Sequence, residues 1–211
     1  MKKQGLVWFL AGMLATTVGA QELKPVVLPA SQTDGGRPLM QALKDRKSTR
    51  EFNGERLPAQ VLANMLWAGF GVNRPDGRRT APSAMNWQEI EIYVVTADGT
   101  YLYDAAKNRL EPVAKEDLRG LAGTQPFVAT APVNLVYVAD MTKVAGDAEG
   151  KELFTWADTG FIAQNVYLYC ASEGLATVVR ASIDREALGK ALKLKATQKI
   201  VLAQSVGYPK K

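Results

Sequence analysis

The chain has 211 residues, 47% of them hydrophobic and 22% charged, with a formal net charge of +5. That is the composition of one ordinary globular domain with a sizeable core. It contains no histidine and a single cysteine, Cys170, which excludes His-ligated metal sites, Ser-His and Cys-His nucleophile machinery, imidazole acid–base work and any intramolecular disulfide. Chemistry must come from carboxylates, cations, hydroxyls or a bound cofactor.

Lys2 and Lys3 precede a mostly apolar run, Gly5 to Leu14, and Val18-Gly19-Ala20 places small or compact residues where a signal peptidase reads. Residues 1–20 therefore read as a signal peptide cleaved after Ala20, giving an exported protein, periplasmic or otherwise extracytoplasmic. The run is too short for a good membrane span, and no stable membrane insertion is expected. Cleavage lowers the net charge from +5 to +3. No basic stripe with interleaved aromatics is present, so nucleic acid is not an expected partner. Residues 21–38, with Pro25, Pro29, Gly35, Gly36 and Pro38, read as an extended arm or linker. This leaves 39–211 as the folded domain.

A first helix is predicted from about Pro38 through Leu43. A second opens at Leu57-Pro58, carries Val61, Leu62, Met65, Leu66 and Phe70 at helical spacing, and is stopped by Gly69 and Gly71. Ile90–Thr96 alternates as a strand, Asp98-Gly99 signals a hairpin, and Thr100–Asp104 returns. Lys115–Leu121 reads as a short helix, and Val133–Ala139 as a central strand. Phe154–Glu173 is the longest helical pattern, stopped by Gly174. It is apolar on several sides, with Ala157, Gly160 and Ala163 supplying small residues, so it belongs in a core or a subunit interface. Ala176–Val179, Asp184–Leu192 and Lys199–Val206 complete the pattern as strand, helix and strand. Asp140, Asp147, Glu149 and Glu152 lack metal-ligand spacing and read as solvated loop.

Two stretches carry the chemistry. Arg46-Lys47-Ser48-Thr49-Arg50 groups three cations and two hydroxyls, a donor set suited to a phosphate or to the carbonyl edge of a heterocycle. It equally fits a basic helix C-terminus favoured by the helix dipole. The second stretch is Arg79-Thr80-Ala81-Pro82-Ser83-Ala84-Met85-Asn86-Trp87-Gln88. Together they resemble the nitroreductase family of flavin-dependent oxidoreductases, with the nearest likeness to the branch that includes the SagB-type dehydrogenases. The resemblance spans roughly Leu39 to the C-terminus.

It implies an α+β fold, with a mainly antiparallel central sheet flanked by helices. It also implies a homodimer closed across Phe154–Glu173 and an FMN site at the subunit interface. In its terms Arg46 and Ser48 bind phosphate and ribityl oxygens, aided by the Lys47 backbone, while Arg50 binds the pyrimidine edge. Pro82, Ser83, Ala84 and Asn86 reach the flavin of the neighbouring subunit, and Gln88 supports their loop. Gln125 is a candidate ring contact, and Lys210 and Lys211 match terminal cations on the phosphate, a frayed basic tail being the other reading.

At the region facing the flavin's reactive edge, the usual Glu-Gly or Gly-Gly is replaced by Val179-Arg180-Ala181. Ala181 is a candidate contact there, and Arg180 stays open between flavin contact, substrate contact and surface cation. The flavin itself would carry the chemistry, with ping-pong transfer between a donor, NAD(P)H or another, and a small nitro, quinone or azoline-type substrate. A non-catalytic exported flavin binder or carrier is the alternative. No metal is expected. Cys170 lies in an apolar helical pattern and reads as a buried, inert thiol.

Overall fold

Segments dense in β-branched and aromatic residues pair into one seven-stranded sheet. In chain order the strands are β1 (Val26–Val27), β2 (Ile90–Thr96), β3 (Gly99–Asp104), β4 (Arg109–Ala114), β5 (Val133–Asp140), β6 (Ala176–Arg180) and β7 (Gln198–Gly207). Their spatial order is β1-β4-β3-β2-β5-β7-β6, and every pairing is antiparallel. Helices α2 (Ala59–Phe70) and α4 (Ala148–Glu173) cover one face, and α1 (Leu39–Asp45) packs on α4. The other face is covered by α3 (Phe127–Thr130) and α5 (Arg185–Ala191). This is the α+β architecture with a helix-flanked antiparallel sheet that the sequence predicts. The computed structural model describes residues 22–211, and the expected signal peptide and its cleavage point lie outside them.

The core explains the sequence pattern of the central strand. Leu135, Tyr137 and Ala139 of β5 point into the layer under α2 and α4, while Val136 and Val138 point into the layer under α5. A strand covered on both faces has no solvated side, so it reads as an unbroken apolar run. Tyr101 and Tyr103 pack on the first layer and Tyr93 on the second, as sheet packing requires.

Several boundaries differ from expectation for identifiable reasons. α4 begins at Ala148, six residues before Phe154. Asp147 caps it by accepting the Gly150 N–H at 2.8 Å, so Asp147, Glu149 and Glu152 open a helix rather than fill a loop. It ends as expected at Gly174, which is left-handed with φ 71°. Lys115–Leu121 is not a helix: only Arg119–Leu121 makes a 3₁₀ turn. The Asp117 carboxylate takes the Arg119 N–H at 3.1 Å, a local bond that competes with helical pairing. Gly69 lies inside α2 rather than ending it, because a side chain there would meet Val166 of α4 at 3.0 Å; Gly71 is the stop. Within the expected arm, Val26 and Val27 pair with Leu110 and Arg109 of β4, so that part is strapped to the sheet edge. β4 and α3 carry no strong periodic signal; Pro112 sits in β4 opposite Tyr101, beside a register shift at Thr100/Tyr101.

Cys170 is fully buried on α4, and desolvation pushes its thiol pKa well up. A thiol-reactive dye should therefore leave the native protein unlabelled and label it in denaturant. Rapid labelling of the native protein would contradict this packing.

Candidate functional site

The basic stretch begins where α1 ends: Arg46 caps the helix, its N–H bonded to the Ala42 carbonyl at 2.9 Å. From there the chain runs beside the C-terminal half of α4. The Thr49 N–H is held by the Thr177 carbonyl of β6 at 2.9 Å, and the Arg46 guanidinium lies 5.3 Å from the centroid of the Tyr167 ring. Tyr167 Oη accepts the Val179 N–H at 2.9 Å and shares a 2.8 Å bond with Ser48 Oγ. Either hydroxyl can donate in that bond, since the phenol oxygen can accept a second proton besides the Val179 N–H.

The C-terminal tail returns to this point. Phe52 and Pro209 form an antiparallel bridge, and the Lys210 N–H bonds the Glu51 carbonyl at 3.2 Å. Lys210 therefore joins Lys47, Lys44 and Arg37 around a cleft of about 610 Å³. Arg37 is paired with Asp45 at 3.1 Å. Among the described residues no carboxylate pairs with Lys44, Lys47 or Lys210. A cleft lined by unpaired cations is suited to a phosphate group. Arg46, Ser48, Arg50 and Lys211 do not line this cleft, and Ser48, Arg50 and Lys211 are exposed.

The second stretch lies at the other half of α4. Met85, Asn86 and Gln88 all take left-handed φ values, 48°, 57° and 48°. Three such residues within four positions store strain that surrounding contacts must hold. Ser83 Oγ accepts the Gln88 N–H at 3.0 Å, and the Gln88 side chain donates to the Gly77 carbonyl and to Asn86 Oδ1. Arg79 Nε donates to Gln88 Oε1 at 2.8 Å. Gln88 is thus the buttress of the loop, and Ser83 and Asn86 are engaged by it. Trp87 meets Phe154 of α4 edge-on at 5.8 Å, leaving Met85 at the tip, 84% exposed.

Beneath the loop sit two residues that sequence reasoning missed. Glu89 is 0% exposed and Asp158 of α4 is 3% exposed. Asp158 Oδ2 accepts the Ala84 N–H at 2.8 Å. No side chain donates to the Glu89 oxygens by ordinary hydrogen-bond geometry among the described residues; near them lie the Asp158 carboxyl and Glu89's own backbone N–H, which lowers the pKa in part. Two carboxyls in contact share a proton. Desolvation, then Asp158's charge, raises Glu89 to about 7, and its proton is donated to the Asp158 carboxylate. Tyr167 was also missed. Its signal was an aromatic hydroxyl on the inward side of α4, between Ala163 and Cys170.

Burial rules out the surface-cation reading of Arg180, which is 7% exposed. It is buried beneath the sheet, donating through Nη1 to Ser205 Oγ at 2.8 Å and through Nη2 to the Ala122 carbonyl and Asn134 Oδ1, both at 2.9 Å. It ties β6, β7, β5 and the segment before α3 together. No carboxylate compensates it, and burial lowers its pKa to about 10. A side chain at Gly123 would strike its Nε at 2.4 Å, which is why that position has none. Ala181, next along, is exposed. Gln125 lies just before α3, and its side-chain oxygen is buried without a partner among the described residues. It does not line the cationic cleft.

The two ends do not meet within one chain. Asp158 under the loop and Tyr167 at the cleft are nine residues apart on α4, about 14 Å at the helical rise. Between and beyond them α4 exposes Leu153, Phe154 and Phe161 together with Ala157 and Gly160. No helix among the described residues is long and apolar enough to cross a membrane.

Comparison with known proteins identifies the family and the fold. The profile of the nitroreductase family matches residues 43–208. A nitroreductase-family protein of Methanocaldococcus jannaschii is 34% identical over 171 residues, covering 74% of this chain and 85% of its own. A nitroreductase-family crystal structure from Ralstonia eutropha superposes with a TM-score of 0.86 at 39% identity, over 90% of this chain and 91% of that one. The NADPH:FMN oxidoreductase of Vibrio harveyi, solved with NAD+, shares the fold at a TM-score of 0.62 and 21% identity, over 82% of this chain and 69% of its own.

Proposed function

Because the chain belongs to the nitroreductase family of oxidoreductases, we propose that it is an FMN-dependent enzyme acting on a small organic substrate of nitro, quinone or azoline type, the last as in the SagB-type branch. The carrying observation is the split site: unpaired lysines at one end of α4 and a strained, buttressed loop at the other. Lys47 and Lys210, with Arg46 and Ser48, would hold the phosphate and ribityl oxygens, and Arg50 the pyrimidine edge. Pro82 to Asn86 would lie against the ring, and the Ala181 backbone would face its reactive edge. When bound, FMN supplies the redox chemistry, accepting a hydride or electrons from a donor and passing them on. The residues of this chain bind, orient and charge-stabilise.

A homodimer about α4 would complete each site. The exposed Leu153, Phe154 and Phe161 on α4 support that reading, since a two-fold axis on this helix would cover them. Export after Ala20 belongs to the same reading, and an exported enzyme would draw on a reductant other than cytoplasmic NAD(P)H.

The test is the visible spectrum of the purified mature protein, alone and after incubation with FMN, with the released flavin identified. A bound-flavin spectrum at about one per chain is expected, together with reduction of a quinone or nitroaromatic by a supplied donor. Tight flavin with no turnover would favour the carrier reading. No binding after reconstitution would end the flavin assignment.

A further inference from the structure

The strained loop is seated from below by one bond that depends on a proton. The Ala84 N–H donates to Asp158 Oδ2 at 2.8 Å, and Asp158 is in contact with the fully buried Glu89, the first residue after the loop. We propose that Glu89 and Asp158 form a proton-sharing latch that positions the Ser83–Gln88 loop, and that the latch makes the seat of this loop depend on pH. The proposal rests on the flavin reading only for what the loop serves; the latch itself is a property of the chain.

With the proton present, the Glu89 carboxyl donates to Asp158, and Asp158 keeps one negative charge for the Ala84 N–H. When the proton leaves to solvent, two carboxylates face each other in a site almost without water contact, and repulsion displaces the one that holds Ala84. The other charged groups nearby do not cancel this. Lys143, in the turn after β5, places Nζ 3.5 Å from the Gln88 carbonyl and only partly offsets the pair. Asp140 gives its N–H to the Glu89 carbonyl, but its carboxylate is taken by Thr142. Arg79 is engaged by Gln88. The sign follows from linkage: a carboxyl with its folded pKa raised holds a proton that the released state gives up. The seat is therefore firmest in acid and weakens as pH rises through neutrality.

The test needs no flavin. The Ala84 amide is followed by NMR in the wild type, Glu89→Gln and Asp158→Asn between about pH 5.5 and 8.5. Glu89→Gln keeps a neutral donor to Asp158 and removes the titration. Asp158→Asn keeps an acceptor for Ala84 but removes the charge that holds the Glu89 proton.

The wild type should show an Ala84 inflection near neutrality, with amide exchange rising about tenfold beyond the base-catalysed trend. The inflection should vanish in Glu89→Gln and move to lower pH in Asp158→Asn, a response that loss of structure alone does not give. A flat wild-type profile, or an inflection kept in Glu89→Gln, overturns the latch. Should Glu89→Gln not fold, the wild-type inflection and its direction of movement in Asp158→Asn decide the matter. FMN affinity is titrated alongside, weakening several-fold with rising pH in the wild type and staying level in Glu89→Gln. If no FMN binds at any pH while Ala84 still titrates, the flavin reading fails and the latch stands.

Discussion

Arg180→Ala is expected to lose about 2–4 kcal/mol of folding stability, lowering the melting midpoint by roughly 5–15 °C in a domain of this size. The alanine strips the guanidinium's protons from the Ala122 carbonyl and Ser205 Oγ, leaves Asn134 Oδ1 with only the Ser205 hydroxyl it also accepts, and opens a cavity where β5, β7 and β6 meet. Against that loss stands a gain, because the native protein buries a cation with no carboxylate beside it and its pKa is driven down to about 10. The two contributions separate with Arg180→Met, which removes the charge but fills much of the space; it should lose no more than about 1–2 kcal/mol. Denaturant melts of both variants measure the difference. If alanine and methionine are equally mild, the hydrogen bonds contribute nothing net, and Arg180 has been misread as a staple.

Arg46→Ala combined with Arg50→Ala is the second large effect. Each charge-assisted hydrogen bond to a phosphate or a ring carbonyl is worth about 1.5–3 kcal/mol, so losing both should weaken FMN binding by about 100-fold or more. Stability should barely move: Arg50 is exposed, and Arg46 gives up only its contact with the Tyr167 ring. Equilibrium titration with FMN and a thermal melt read the two separately. Undiminished flavin retention in the double variant would transfer the phosphate entirely to Lys44, Lys47 and Lys210, and would mean the ring edge is met by another group. Raising the salt concentration should weaken wild-type binding more than that of the variant, because the variant has fewer exposed charges to screen.

Much of this was legible in the residues and some could not have been. Val133–Ala139 announced a strand covered on both sides, and Gly174 announced the end of α4, because burial and left-handed φ leave direct marks on residue type. Arg46, Ser48 and the Pro82–Gln88 stretch stood out for the same reason: few folds need those donors or that loop. The start of α4 was misplaced because Asp147 acts through a single cap bond. Asp117 imitates a helix start while diverting the Arg119 N–H. Glu89, Asp158 and Tyr167 escaped notice because each acquires its role from a partner far along the chain: Asp158 for Glu89 and the Ala84 N–H, Ser48 and the Val179 N–H for Tyr167. Arg180 was left open for the opposite reason, since an arginine beside a candidate site looks functional until its three acceptors are seen.

The place of β7 in the sheet bears on how the chain reaches its native state. Gln198–Gly207 is last in sequence yet sits between β5 and β6, and it pairs with both along its length. Until those residues are available, β6 has no neighbour and β5 offers a bare edge, so the sheet closes only once β7 is in place. A chain cut between β6 and β7 would leave a bare β5 edge and an unpaired β6 for chaperones and proteases to clear.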